Sequence, residues 1–458
     1  MKAYLDVVQQ ASELHKNEQW LEAATLYEHL LGNQPDDPVI LYLYGTLCSQ
    51  TKHFGTAITF LQKSLALEPV QLPDAWHNLG VALRSEGHTK ESREAYKRCL
   101  QLKPDDPNTL AMIAGSYVNT GEPGLAIDYA RRAIAIEDNP HAENHLALGL
   151  LELGRYSEAW PHYMRRYDLV QMQARPYTCP QWDGKTKVKK LAIHGEQGLG
   201  DEIMYMSCFD ELKHLADEIV IECADRLVVY FQASFGVPCY ATHDELIQAH
   251  PDVDAFIQMG NLPTFVRQTS ADFPGTPYMR ADETTREDHR HKLEKFGGAP
   301  YVGIAWHGGT KATHQEVRNP PIDGYKAVID QIRALGGTPI SIQYGEDAAG
   351  QALELGIPHW QYAIDDLASQ AALISVLDLV ISPCQTAIHI AGALGVECWC
   401  LTPSAPAWRY KVKGPMDWYQ SVQLIRQKGT NWDTVFKTVA EQLDANYGNL
   451  QTAQSATA

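Results

Sequence analysis

Through the first third of the chain, apolar residues recur at helical spacing, and the pattern itself repeats. Small residues fall at Ala23, Ala57, Ser92, Ala126 and Ala159, at spacings of 34, 35, 34 and 33, and twelve positions earlier at Ala11, Gly45, Gly80, Ala114 and Ala147. A small residue on each of two helices lets them cross closely. Pro35, Pro69 and Pro104 keep step with the repeat, each ending a second helix and setting the turn to the next unit. This predicts five helix pairs over residues 1–170, the first less regular. The last unit ends in SEAWPHYMRRYDL, where Trp160, Tyr163 and Tyr167 lie at helical spacing and are expected to pack the array onto the region after it.

Beyond it, residues 171–187 lose all periodicity. Prolines and a Trp-Asp-Gly turn predict a linker. From Val188 the pattern changes to short apolar strands alternating with helices. Strands are expected at KLAIHG, DEIVIEC, VPCYAT and DAFIQMG, with a helix over ADRLVVYFQASF, and LPTFV and TPYMRAD closing a unit that ends near 285. A polar, charged stretch near Arg280–Pro300 predicts a hinge. A second unit over 300–447 has strands at PYVGIAWHGG, TPISIQYG, LDLVISP and ECWCLTP. Its helices are expected at Asp323–Leu335, at Leu367–Val376, from Gln385 with Gly395 as C-cap, and at Asn431–Tyr447. The tail, 448–458, is small and polar and is expected to be disordered. Buried strands alternating with helices imply parallel, doubly wound sheets. The fold class is therefore an α-helical solenoid followed by two Rossmann-like α/β halves.

Composition narrows the function. The formal net charge of −18 argues against a nucleic-acid partner, which needs a basic face, and against an anionic membrane surface. The N-terminus has no signal-peptide pattern, and no apolar run reaches the roughly 20 residues of a membrane span. Nine cysteines are scattered without a CxxC pair, which predicts reduced thiols in a cytoplasmic protein and no metal site.

Ligands of parallel sheets bind beyond the carboxyl ends of the strands. There the first half offers His194, Gln197, Gly198, Gly200 and Asp201, in the glycine-rich turn HGEQGLGD. It is not GxGxxG, so the dinucleotide fingerprint is absent. Asp201 sits where an N-cap is expected, so capping competes with any chemistry. His194, at a strand end, reads first as a packed histidine and second as an acid–base group. The second half offers Trp306, His307, Lys311, Arg318, Gln343, Cys384, Gln385, Thr386, Ala387, His389, Trp408 and Arg409.

The N-terminal pattern resembles the tetratricopeptide repeat, whose helix pairs stack into a curved solenoid with a concave surface. The later motifs WDG, HGEQGLGDEIMY, GIAWHGGTKATHQEVRN, SIQYG, DLVISPCQTAIHIAGALG and TPSAPAWRY, in that order, resemble bacterial tetratricopeptide proteins whose C-terminal domain is related to the lipopolysaccharide heptosyltransferases. The layout also resembles the O-linked N-acetylglucosamine transferases. The resemblance implies a GT-B glycosyltransferase, inverting and without a metal or cofactor, that uses a nucleotide sugar as substrate. It makes Asp201 the base on the acceptor hydroxyl. It sets Lys311 and Arg318 in a basic loop facing the donor phosphates. Gln385, Thr386 and Ala387 become the opening of a diphosphate-binding helix, and His389 matches a histidine of that helix. Gln343 stands on the donor side, and Gln197, Gly198, Gly200, Trp306, His307, Cys384, Trp408 and Arg409 line the cleft. One departure stands out: relatives commonly carry an Asp five residues before that histidine, and here it is Cys384. This leaves the nucleotide sugar open, and altered or lost activity with it.

The chain thus admits three functions. The first is transfer of a sugar to a protein or peptide recruited by the repeats. The second is a tetratricopeptide scaffold with a non-catalytic C-terminal domain. The third, a heptosyltransferase-like enzyme of cell-surface glycan assembly, is weakened by the solenoid and by the lack of a basic amphipathic stretch.

Overall fold

The computed structural model describes residues 2–67, 72–169, 175–309 and 315–455. Pro69 and Lys311 fall outside them. The repeats fold as helix pairs: α1 (Lys2–Lys16) with α2 (Trp20–Asn33), α3 (Pro38–Gln50) with α4 (Phe54–Leu67), α5 (Pro73–Ser85) with α6 (Thr89–Leu102), α7 (Pro107–Val118) with α8 (Pro123–Ile136), and α9 (Pro140–Glu152) followed by α10 (Tyr156–Tyr163). Asp37 and Asp106 cap α3 and α7, accepting from Val39 N and Thr109 N at 2.9 Å, each with proline at the first helical position. The small residues do what their spacing predicts. A Cβ at Gly80 would lie 2.4 Å from Tyr96 Cε1, and one at Gly45 2.8 Å from Leu61 Cγ. The Ser92 hydroxyl donates to Gly80 O at 2.7 Å across the same crossing.

Packing divides the chain into two compact units: Met1–Leu150 with Arg165–Met172, and Leu151–Met164 with Gln173–Ala458. The helix α10 thus belongs to the second unit rather than to a solenoid running through to 170. Its aromatic stripe explains why. Trp160 Nε1 donates to Arg267 O, Tyr156 OH donates to Asp417 Oδ2 at 2.7 Å, and the rings of Trp160 and Tyr163 meet that of Trp408. Tyr167 stays in the first unit, with the Arg166 guanidinium 4.5 Å from its ring centroid.

In the second unit, the expected linker is packed over its described part, 175–187. Trp182 is buried and donates to Thr186 O, Asp183 accepts from Lys185 N and Thr186 N, and Gln181 bridges to Phe256. In chain order there follow β1 (Val188–His194), α11 (Leu199–Tyr205), α12 (Phe209–Leu212), β2 (Ala216–Glu222), α13 (Val228–Phe235), β3 (Cys239–Tyr240), α14 (His243–Ala249), β4 (Ala255–Gln258) and α15 (Pro263–Val266). The four strands form one parallel sheet in the order β3-β2-β1-β4.

The expected hinge holds a fourteen-residue helix, α16 (Glu283–Phe296). Asp282 caps it through Thr285 N at 2.8 Å, and Glu283–Arg286 and Glu287–Arg290 pair along it. Only His289 and Leu293 are buried on it, so no apolar periodicity announced it. The remaining elements are β5 (Tyr301–Ile304), α17 (Gln315–Arg318), α18 (Asp323–Ala334), β6 (Thr338–Ser341), α19 (Ala348–Glu354), α20 (Gln361–Asp365), α21 (Leu367–Ile374), β7 (Leu379–Pro383), α22 (Thr386–Leu394), β8 (Cys398–Thr402), β9 (Val422–Arg426) and α23 (Asp433–Ser455). The second sheet is separate and parallel, in the order β6-β5-β7-β8-β9. Its edge strand β9 was not foreseen. Gly395 closes α22 at φ +77°, as expected. The terminal helix runs on to Ser455, where a disordered tail was expected. No proline interrupts it, and Leu, Gln and Ala sustain a helix. The core around the second sheet joins Val302, Ile304, Ile381, Trp399 and Leu401 to Val435 and Val439 of α23.

Candidate functional site

The turn after β1 brings its residues to the carboxyl edge of the first sheet. Gly198, not Asp201, is the N-cap of α11. Asp201 stands at the third helical position and reaches back, accepting from Gly198 N at 3.4 Å. That contact is long, so capping uses little of this carboxylate. Its stronger partner is remote: Arg409 Nη2 donates to Asp201 Oδ1. The two side chains are only 14% and 16% exposed. Burial works against the Arg409 charge, but Asp201, with Tyr410 and Tyr205, outweighs it and raises the guanidinium's pKa. Arg409 Nε is buried with no hydrogen-bond partner among the described residues.

Gly200 makes this approach possible. A Cβ there would lie 2.6 Å from His389 Cδ2, so only glycine lets α11 meet α22. His389 is buried, with Nδ1 3.1 Å from Tyr419 OH and Nε2 3.4 Å from Tyr410 OH. Burial first, then the Arg409 and Arg318 charges, push its pKa well down, so it is a neutral packed ring.

The mouth of α22 collects the second half's residues. Arg318 Nη2 donates to Cys384 O at 2.9 Å. Gln385 is the N-cap, but no side chain caps the helix there, leaving the leading N–H groups of Thr386 and Ala387 without one. Gln385 Nε2 donates to Ser382 Oγ at 3.1 Å, while its Oε1 is buried without a partner among the described residues. Gly308 packs on Gln385: a Cβ there would lie 2.6 Å from Gln385 Cβ. Asn319, which the sequence did not single out, pins Gly308 through both N (2.9 Å) and O (3.1 Å). Cys384 Sγ lies 3.7 Å from Cys400 Sγ. Burial raises the Cys384 thiol, but Cys400, Arg318 and Arg409 outweigh it, and the net shift is downward.

Other expected site residues are engaged with the rest of the fold. Gln343 accepts from Trp306 N and His307 N at 2.9 Å and donates to His307 O and Tyr344 O, which uses its whole amide on the backbone. Trp306 is buried and donates to Gln351. His307 is half-buried. Trp408 sits among Trp160, Tyr163 and Trp418. His194 stacks with Tyr177 and Phe256 and is 2% exposed; burial lowers its pKa despite Glu222. Gln197, at φ +68°, donates to Tyr163 OH at 2.9 Å, so α10 braces the glycine turn. Glu202, beside Asp201, was missed. It is 5% exposed, and burial, then Glu222 and Asp201, against a hydrogen bond from Ala224 N, raise its pKa to about 7.

Among the described residues no group of three or more His, Cys, Asp or Glu is placed to hold a metal ion, and no helix is long and apolar enough to cross a membrane. A surface depression of about 440 Å³ lined by Pro321, Gly324, Trp432 and Phe436 is built from α18 and α23, not from these site residues.

The tetratricopeptide repeat family model matches residues 73–106. The chain is 26% identical over 452 residues to protein FlbA of Caulobacter vibrioides, covering 92% of this chain and 75% of that protein. It is 30% identical over 127 residues to tetratricopeptide repeat-containing protein trd-1 of Caenorhabditis elegans, covering 27% of this chain and 16% of that protein. Among solved structures, MamA from Desulfovibrio magneticus RS-1 matches at TM-score 0.34 and 16% identity, over 38% of this chain and 97% of that one. A thermophilic tetratricopeptide protein of Thermus thermophilus matches at 0.31 and 21%, over 37% and 92%. The N-terminal helices of this chain form a tetratricopeptide repeat solenoid.

Proposed function

We propose that the chain is a metal-independent, inverting glycosyltransferase of GT-B type that takes a nucleotide sugar and modifies a protein or peptide held by the repeats. One observation carries this reading. Asp201, on the first sheet's βα turn, stands opposite the basic, uncapped mouth of α22 on the second sheet. An inverting transfer needs that division. A carboxylate takes the proton of an acceptor hydroxyl while its oxygen attacks the sugar's anomeric carbon. The bond to the diphosphate breaks on the opposite face, and the diphosphate leaves with the electron pair. Arg318 and the leading N–H groups of α22 suit the departing charge. His389, neutral and bonded to two tyrosines, shapes the site rather than binding phosphate. A second reading rests on Cys384, whose thiol meets Cys400 where the resemblance to the heptosyltransferases implies a carboxylate. It is a domain that binds nucleotide without turnover.

The test is a panel of nucleotide sugars and nucleoside diphosphates, read by melting temperature and by release of nucleoside diphosphate without acceptor. A ligand that binds only the folded state raises the melting temperature by mass action. Stabilisation with slow release supports the enzyme. Stabilisation without release favours the binding domain. Neither one, across the panel, removes the nucleotide-sugar reading altogether.

A further inference from the structure

We infer that Arg409 is an exchangeable cation: it holds Asp201 while the site is empty and passes to the donor diphosphate when that binds, setting the carboxylate free. This rests on the donor site proposed above. While Arg409 holds Asp201 Oδ1, that oxygen is already engaged and is not free to meet an acceptor hydroxyl. Something must displace it, and the geometry points to the displacing group. Arg409 reaches Asp201 through Nη2, while its Nε is buried without a partner among the described residues. Guanidinium has five N–H groups in a planar fork, suited to two oxygens at once. Arg409 also acts on the same two residues as Arg318, Cys384 and His389, which stand at the start of α22. Arg409 thus holds the carboxylate, while Arg318 stands at the start of the uncapped nine-residue helix whose residues both guanidiniums act on. A diphosphate brings more charge and more acceptor oxygens than that carboxylate, so it competes for the fork. Gln385 Oε1, buried at the helix mouth, is an acceptor, which suits a ligand that carries hydroxyls beside its phosphates. The exchange orders the reaction: donor binds first, and only then is Asp201 available to an acceptor hydroxyl.

The test uses the full-length chain and inorganic pyrophosphate, titrated calorimetrically, with circular dichroism and melting temperature confirming each fold. Asp201→Asn removes the competing carboxylate and should bind pyrophosphate at least about fivefold tighter than wild type, the low end of an ordinary coupling between two sites. Arg409→Gln should bind more weakly, and adding Asp201→Asn to it should bring no gain. If Arg409→Gln does not fold, Arg409→Lys takes its place and should keep only part of the gain. A folded Asp201→Asn with unchanged or weaker affinity overturns the exchange. So does a gain that survives in the Arg409→Gln background, since it then reflects the loss of one negative charge only. Either result leaves the donor site standing if wild type binds pyrophosphate and Arg318→Ala weakens it. No binding by any form removes both.

Discussion

Glu202 shows how burial turns one carboxyl into a pH-dependent stability element. Its folded pKa is raised from 4.5 to about 7, with burial the first cause. The native state therefore keeps its proton over a range where the unfolded chain has lost it. Stability from this group is greatest below about pH 4.5, falls as pH rises, and bears the full penalty above about pH 7. Glutamine can still accept from Ala224 N but carries no charge to desolvate. Relative to wild type, Glu202→Gln should be near neutral at about pH 4 and more stable by up to about 3 kcal/mol at about pH 8. Urea unfolding of both proteins across that range checks it. A constant difference at every pH means that Glu202 does not titrate as its surroundings require. Asp201 and His389 carry the same lesson differently. Their residue types and motif positions were legible in the sequence; their partners, Arg409, Tyr410 and Tyr419, were not.

Among the elements, the repeat helices are where sequence spacing and packing agree most directly. Gly80 sits inside α5, where alanine normally stabilises by about 1 kcal/mol. Here the added methyl meets the Tyr96 ring at 2.4 Å. Over-packing of that kind costs about 1–3 kcal/mol, so the clash outweighs propensity and Gly80→Ala should destabilise. Gly32, in α2, has nothing within 4 Å of an added Cβ, and Gly32→Ala should be neutral or stabilising. Helical unfolding followed by circular dichroism compares them, and a stabilised Gly80→Ala contradicts the close crossing. Eight of the nine strands among the described residues were legible because each is a short apolar run between turn residues; β9, part-exposed at the sheet edge, was not. The helix α16 was not, because its charges pair along its own surface and it buries only two side chains.

For the whole molecule, the fifth repeat matters most. By period α10 is the second helix of a repeat; by packing it belongs to the C-terminal unit, where Trp160, Tyr156 and Tyr163 find their partners. Removing one buried tryptophan commonly costs about 3–5 kcal/mol, and here three buried aromatic side chains would go together. A fragment that begins at Leu151 should therefore melt cooperatively, whereas one that begins at Gln173 should be destabilised by at least about 5 kcal/mol or fail to fold. Soluble yield and thermal unfolding of the pair decide it. Equal stability would mean that α10 is dispensable to that unit.

Residue order alone specifies the repeat array, most of the strands and helices, and the glycine turn that carries Asp201. These arise from periods of two, 3.6 and about 34 residues, which are local properties of a chain. Packing in three dimensions settles which unit α10 joins, that Gln343 bonds the backbone at Trp306, His307 and Tyr344, and that Asp201 meets Arg409 across 208 positions of sequence. No local period encodes such a meeting. It needs a glycine at position 200 thin enough for two helices to touch, and a guanidinium whose burial leaves a carboxylate as its compensation.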